Sequence, residues 1–381
     1  GALFIAAGPG EWRAAWAEDG EPRELYVERG DTKPPGSLHL GRIVRLVPGL
    51  DAALVDIGDE RPAFLPLRQL PENLAAGEGM ALVVEVRREA WAYKAPLLTA
   101  KLAARNDSVA AATPAAPAQL FPPPGLAAAL ALRLPGRPRR VTADEAAVVP
   151  ELRAAFPEAE VAASPATAWP LDLDTLFDDA LAPSLALRGG GSVHFDEARA
   201  ATLIDVDSGT PDDAGAERAA LAVNQAAALA IARQLRLRNI GGPAVVDFIG
   251  LRRRGSREAV RTALAAALAG DPARPELLGW TRLGHIEIVR PRRGRSLADA
   301  MLLPGSRARQ PVALAHEALR RLWHEARARP AADWRLIAGP DIAAALRGPA
   351  ASALQLLETR LGRRIALDIG AGRDGFDIAR R

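Results

Sequence analysis

The chain has 381 residues, 49% hydrophobic and 25% charged, the balance of a globular protein with too much mass for one core. It has no cysteine and no run of eighteen strongly apolar residues, which excludes disulfides, thiolate zinc sites and a membrane-spanning helix. Net charge is only +3, but three of the 49 basic residues are lysine and the rest arginine, whose planar forks suit phosphate.

Residues 1–36 open with strands at Leu3–Ala6, Trp12–Ala17 and Glu24–Glu28, with a hairpin signal at Asp19-Gly20. The uncharged start reads as a strand and not as a secretory leader, which predicts a cytoplasmic location. Residues 37–101 hold five short strands with glycine turns: Leu40–Val47, Ala52–Gly58, Arg61–Pro66, Met80–Arg88 and Pro96–Lys101. That spacing predicts a small closed barrel of the oligonucleotide-binding kind. Residues 102–136 are rich in Ala and Pro and read as a linker or loose crossover.

Further on, 137–199 predict a strand at Arg139–Thr142, a helix at Ala143–Phe156 and a strand at Glu160–Ala163. A helix at Asp172–Leu185 and a strand at Val193–Asp196 complete that stretch. Residues 200–305 alternate strand and helix: Ala201–Val206, Asp212–Leu237, Pro243–Ile249, Ser256–Ala269, Leu283–Arg290. Residues 306–381 read as a small α/β domain with a strand at Trp334–Ala338 and a helix at Asp341–Gly362. The expected class is α/β, in an α+β multidomain arrangement.

Two acidic strands stand out. Asp205 and Asp207 close the first, and Asp247 lies in the middle of the second. A carboxylate on a buried strand is costly unless something pairs with it. Several together point to a divalent cation, and the arginines alongside point to a polyanionic substrate. The five histidines, His39, His194, His285, His316 and His324, show no metal-binding spacing and read as surface or helix-face residues.

The run Ala230-Ile231-Ala232-Arg233-Gln234-Leu235-Arg236-Leu237-Arg238-Asn239-Ile240-Gly241-Gly242 leads into Val245-Val246-Asp247-Phe248-Ile249. With Ile204-Asp205-Val206-Asp207-Ser208-Gly209 upstream, it resembles the bacterial ribonuclease E/G family. Gly41-Arg42-Ile43, Val47 to Gly58 and Ala63-Phe64-Leu65-Pro66 resemble that family's S1 domain. The resemblance implies an RNase H-like part with an inserted S1 barrel, a DNase I-like catalytic region and a small C-terminal domain. It implies an endoribonuclease for single-stranded RNA, leaving 5′-phosphate and 3′-hydroxyl ends, with Mg²⁺ (Mn²⁺ as the alternative) held by Asp205 and Asp247. Asp207, where the family commonly has asparagine, is a third ligand or a turn residue. Gly250 replaces a frequent family acid.

The resemblance also marks RNA contacts, each set against an ordinary structural role. Phe64 is a base-stacking platform or a core residue, and Lys94 an RNA contact or a solvated charge. Arg252, Arg253 and Arg254 with Arg257, and Arg290 and Arg292 with Arg293 and Arg295, form two clusters expected to bind phosphate around the acidic site. Some of Arg233, Arg236 and Arg238 are expected in structural salt bridges. Arg274 resembles an RNA-positioning arginine, and Asn224 a family asparagine of secondary rank. The zinc-link cysteines are absent, so no zinc is expected and a homodimer would use another surface. No stretch typical of a 5′-monophosphate sensor is found in 102–190, which predicts indifference to the RNA 5′ end. No long tail follows residue 381, so a scaffold role is not expected. The rival reading is a non-catalytic RNA-binding paralogue.

Overall fold

The computed structural model describes the chain except residues 31–32, 60, 91–93, 103–114, 121–124, 210–215, 371–374 and 381. It falls into two compact units, one of residues 1–8, 12–27 and 133–314, the other of residues 9–11, 28–132 and 315–381. Among the described residues no helix is long and apolar enough to cross a membrane.

The chain opens with the meander β1 (Ala2–Ala7), β2 (Glu11–Glu18) and β3 (Glu21–Arg29). Asp19 and Gly20 both take positive φ, +52° and +80°, the two-residue turn whose twist matches that of the strands.

The barrel follows: β4 (Leu38–Val47), β5 (Ala52–Asp56), β6 (Ala63–Pro66), β7 (Ala81–Arg88) and β8 (Leu97–Thr99). Its strands neighbour in the order β5-β6-β8-β7-β4, and β4 pairs back onto β5, closing five strands. Alternation sends Ile43, Val55, Leu65, Val84, Val86 and Leu98 inward. Gly41 is required where β4 and β5 cross: a Cβ there would stand 2.5 Å from Val55 Cγ1. The stretch expected as linker contributes a sixth strand, β9 (Ala118–Gln119), which pairs with His39 and Leu40 of β4.

After α1 (Leu126–Ala131) come β10 (Arg140–Ala143), α2 (Val149–Ala155) and β11 (Glu160–Ala163). Both strands run parallel to β1 and extend the meander into a five-stranded sheet, β11-β10-β1-β2-β3. Helix α3 (Leu173–Leu181) starts where the Asp172 carboxylate accepts the Thr175 amide. It ends short of the expected Leu185 because Ala182 precedes Pro183 and is extended (φ −64°, ψ 140°). Residues Ser184–Ala186 form strand β12 instead.

The second sheet holds β12, β13 (Ser192–Glu197), β14 (Thr202–Asp207) and, beyond helix α4 (Ala216–Leu237), β15 (Gly242–Asp247). Helix α5 (Arg254–Leu268), β16 (Glu276–Trp280) and β17 (Ile286–Arg290) complete it in the order β12-β13-β14-β15-β17-β16. Sequence periodicity did not reveal β16, which pairs with β17 through a register shift at Leu277/Gly279. After α6 (Leu297–Met301) and α7 (Pro311–Ala328), a small sheet forms from β18 (Trp334–Ala338) and two later strands. The single helix expected at Asp341–Gly362 is two, α8 (Pro340–Arg347) and α9 (Ala351–Leu361), divided at Gly348-Pro349. Strands β19 (Ala366–Ile369) and β20 (Phe376–Arg380) flank β18. The fold is thus a mixed α+β multidomain arrangement with a closed barrel.

Candidate active site

The second sheet has one apolar and one acidic face. Along β14, Thr202, Ile204 and Val206 are buried while Leu203, Asp205 and Asp207 are exposed. The alternation is the strand period of two. Helices α4 and α5 cover the buried face, where Ile231, Leu235, Val260 and Leu264 pack with Ile204, Val246, Ile286 and Ile288. Because α4 crosses over from β14 to β15, those two strands run parallel and their carboxyl ends come together.

In that register Asp205 pairs directly with Asp247. Neighbouring strands lie roughly 4.8 Å apart, so the two carboxylates share one rung on the exposed face. Asp247 is the last residue of β15, not its middle. The rung extends in both directions. On β13 His194 pairs with Asp205, and its Nε2 lies 3.0 Å from Ser192 Oγ. On the other side His285 Nε2 lies 3.6 Å from Asp247 Oδ2. His285 is fixed by a tight turn in which Thr281 N–H donates to its carbonyl and its own N–H donates to Thr281 Oγ1. The outcome is a row of four side chains, three on strands β13, β14 and β15 and the fourth just before β17: His194, Asp205, Asp247, His285.

These side chains form a line. Among the described residues no three His, Asp or Glu groups converge on one point. Asp207, the expected third ligand or turn residue, lies one rung along, opposite Ser192, and its Oδ1 accepts the Gly209 amide. That bond ties it to the turn at Ser208-Gly209.

Asn224 proves to be a buried staple. It is 0% exposed, its Nδ2 donates to the Ile249 carbonyl and its Oδ1 accepts the Ile249 amide. It therefore pins the segment leaving Asp247 to α4, and cannot reach RNA. Gly250, next in line, is exposed.

The arginines separate by position. Arg252, Arg253 and Arg254 follow Asp247 closely and are exposed. The backbone amides of Arg252 and Arg253 donate to the Glu217 carboxylate and hold its pKa below the usual carboxylate range. Arg257 stacks over Trp280, 4.5 Å from the ring centre. The second cluster does not flank the acidic row. Antiparallel pairing of β15 with β17 sets Arg290 beside Gly242, about 16 Å along the strand from Asp247 at ~3.3 Å per residue.

Arg290 is also only 2% exposed. It is bound by Asp271 at 2.7 Å, Asn239 Oδ1 and the Ile240 carbonyl, so it is a structural residue and not a phosphate contact. Arg292 lies at the same far end, packed so closely over Gly241 and Gly242 that a Cβ on either would strike it. Exposed Arg274 sits on the turn held by Asp271, also at that end. Arg236 is buried against Glu18 and Glu24, and Arg238 against Phe195 and the Ala182 carbonyl. Arg233 pairs with Glu21 at the surface.

Sequence reasoning missed four residues at the carboxylate end. His194 was visible only as an outward position between Val193 and Phe195, and His285 only as a position in the expected strand Leu283–Arg290, since their partners come from other strands. Arg188, before the Gly189–Gly191 turn, and Arg282, in the His285 turn, are both exposed there. In the other unit Phe64 is half-buried on the outside of the barrel, between inward-facing Ala63 and Leu65, and Lys94 is exposed. Tyr93, noted beside it, lies outside the described residues.

Residues 165–293, which hold the whole row, match the model of the ribonuclease E/G family. The chain is 41% identical over 122 residues to ribonuclease E of Nostoc sp., covering 32% of this chain and 18% of that protein. It is 27% identical over 216 residues to ribonuclease G of Escherichia coli, covering 54% and 44%. With ribonuclease G of Haemophilus influenzae the identity is 23% over 407 residues, covering 78% and 81%. The chain thus spans under half the length of several of these relatives.

Proposed function

We propose that the protein is a metal-dependent endoribonuclease that hydrolyses single-stranded RNA at the Asp205–Asp247 rung, in RNA processing or decay. The observation that carries this is the direct pairing of the two aspartates on one exposed face, inside the segment matched by the family. Two carboxylates on adjacent strands suit Mg²⁺, which takes oxygen ligands and keeps several waters. Bound there, the ion would lower the pKa of a water and neutralise charge developing on the phosphodiester.

In this reading Asp205 and Asp247 hold the cation, and Asn224 keeps Asp247 in place through Ile249. Arg252, Arg253 and Arg254 bind phosphates beside the row, and Phe64 and Lys94 bind RNA on the barrel. Products carry 5′-phosphate and 3′-hydroxyl ends, and cleavage is indifferent to the 5′ end. We read the first sheet as RNase H-like on its order and parallel additions, the barrel as an S1 domain and the second sheet as DNase I-like.

The test is cleavage of a labelled, unstructured AU-rich RNA, with Mg²⁺ or with EDTA, by the wild type and Asp247→Asn. Cutting that needs metal and vanishes in the variant supports the proposal. Salt-sensitive binding without cutting in both proteins would overturn it and leave an RNA-binding paralogue. Triphosphate- and monophosphate-ended RNA should be cut at equal rates.

A further inference from the structure

The hairpin that joins β16 to β17 holds an apolar side chain out in water beside the acidic row. Leu283 is 83% exposed, the highest value of any large hydrophobic residue among those described. We propose that the Arg282-Leu283 tip of this hairpin is a nucleotide seat, in which Leu283 packs on the base next to the scissile phosphate and Arg282 pairs with a neighbouring phosphate. This rests on reading the Asp205–Asp247 rung as the cleavage centre.

The tip is fixed by its own hydrogen bonds. Arg282, Leu283 and Gly284 form a three-residue loop, closed where the Thr281 amide donates to the His285 carbonyl at 2.8 Å and the Gly284 amide to the Thr281 carbonyl at 3.2 Å. The last position of such a loop needs positive φ, and Gly284 supplies it at +94°. Thr281 Oγ1 accepts the amides of both Leu283 and His285. Turns of this kind are normally filled by polar residues and glycine. A lone exposed leucine is ordinary on a protein surface, but the bonded turn keeps this one from folding back onto the core.

Its place matters as much as its exposure. Strand β17 runs antiparallel to β15 with Ile286 opposite Val246, so His285 stands level with Asp247, and its Nε2 lies 3.6 Å from Asp247 Oδ2. Leu283 is two residues further along, at most about 7 Å of extended chain. An RNA strand with a phosphate on the rung therefore reaches the tip with the adjoining nucleotide. Arg282 is exposed and its side chain has no ion pair among the described residues, which leaves its fork for a phosphate. That arginine, and the rung beside it, favour a nucleic-acid strand over a second copy of the chain, for which one leucine is too little apolar contact. Leu283 carries no hydrogen-bonding group, so it touches the face of a base and not its edge. The seat tolerates any base and registers its loss.

The probe is an unstructured AU-rich oligoribonucleotide that the wild type cuts at one bond, with a series in which each nucleotide in turn is abasic. Binding is read by fluorescence anisotropy on the full chain carrying Asp247→Asn, with and without Leu283→Ser, so that nothing is cut. One abasic position, adjoining the scissile phosphate, should weaken binding by Asp247→Asn by about fivefold and leave the Leu283→Ser form unaffected. Every other position should cost both proteins equally. Leu283→Trp, which offers a flat ring to the same base, should restore the dependence at that position. Arg282→Gln should flatten the salt slope by about 0.7. If every abasic position costs both proteins alike, or the coupled position lies away from the cleaved bond, the tip is not this seat, while cutting that needs Asp247 still upholds the rung. If Leu283→Ser alters only the oligomeric state, the tip meets a second copy and the proposal is wrong. If one position couples to Leu283 but no such RNA is cut with Mg²⁺, the base seat stands and the cleavage reading fails.

Discussion

Removing the Arg290 guanidinium would leave Asp271 as a buried carboxylate without its partner, in a place where both groups are shielded from water. Breaking a pair of that kind costs roughly 3–5 kcal/mol. Arg290→Ala should therefore lower the denaturant midpoint sharply, while RNA affinity per folded molecule stays level. The exposed arginines beside the row should behave in the opposite way. Arg252, Arg253 and Arg254 replaced together by Gln should leave the thermal midpoint near that of the wild type. RNA binding should weaken, and its salt slope should flatten by about 0.7 for each phosphate no longer neutralised. An unchanged slope would remove these residues from the interface. Asn224 belongs with Arg290 in being structural, yet it touches function through Ile249. Asn224→Ala leaves the Ile249 amide and carbonyl short of partners, a cost of roughly 1–3 kcal/mol. The segment after Asp247 loosens with it, so cleavage should fall further than stability alone explains. Equal activity per folded molecule would refute that coupling.

At the level of elements, burial of His39 on β4 gives the barrel an acid-sensitive limb. Its ring is fully buried, and desolvation, with Lys33 second, pushes its pKa down to about 4 from 6.5. Above pH 6.5 the ring is neutral in both folded and unfolded chains, so the stability it permits is fully present. As pH falls from 6.5 towards 4 the unfolded chain takes up a proton that the folded barrel refuses, and stability drops. His39→Gln should flatten that part of a denaturation-against-pH curve, and an unaltered curve would show that the ring is not the cause. The barrel itself was legible because its short strands follow one another closely, with β4 ending at Pro48-Gly49 and β5 just before Gly58, and because alternation is clear in β7. The rung was half legible. Apolar runs marked β14 and β15 as strands, and the period of two put Asp205 and Asp207 on one face. That Asp205 would face Asp247, and that His194 and His285 would extend the line, depends on pairing register, which no local pattern encodes. The same limit misplaced the second arginine cluster. Sequence nearness set Arg290 and Arg292 beside the acids, whereas antiparallel pairing carries them to the other end of β15. Strand β12 was lost inside an expected helix because Pro183 was not given its weight, and β16 because it is short and bulged.

For the molecule as a whole, the proposed work divides between two compact units. The carboxylate row belongs to one, and the aromatic on the outside of the barrel to the other. A base stacked on Phe64 would contribute roughly 1–3 kcal/mol of binding wherever along the RNA it lies, in ground state and transition state alike. Binding of that uniform kind lowers KM without raising kcat. Phe64→Ala should therefore raise KM for a long single-stranded RNA by about 5- to 150-fold, with kcat and cation affinity unchanged. An RNA too short to reach the barrel should be cut equally by wild type and variant. Asp247→Asn should give the complementary pattern, with RNA bound normally, the cation lost and kcat removed. Half-burial on a strand whose neighbours Ala63 and Leu65 point into the core makes Phe64 a mild substitution for folding, so the thermal midpoint is a usable control. A fall in kcat at unchanged KM would mean that the barrel acts on the chemical step, and the division of labour drawn from the two units would have to be abandoned.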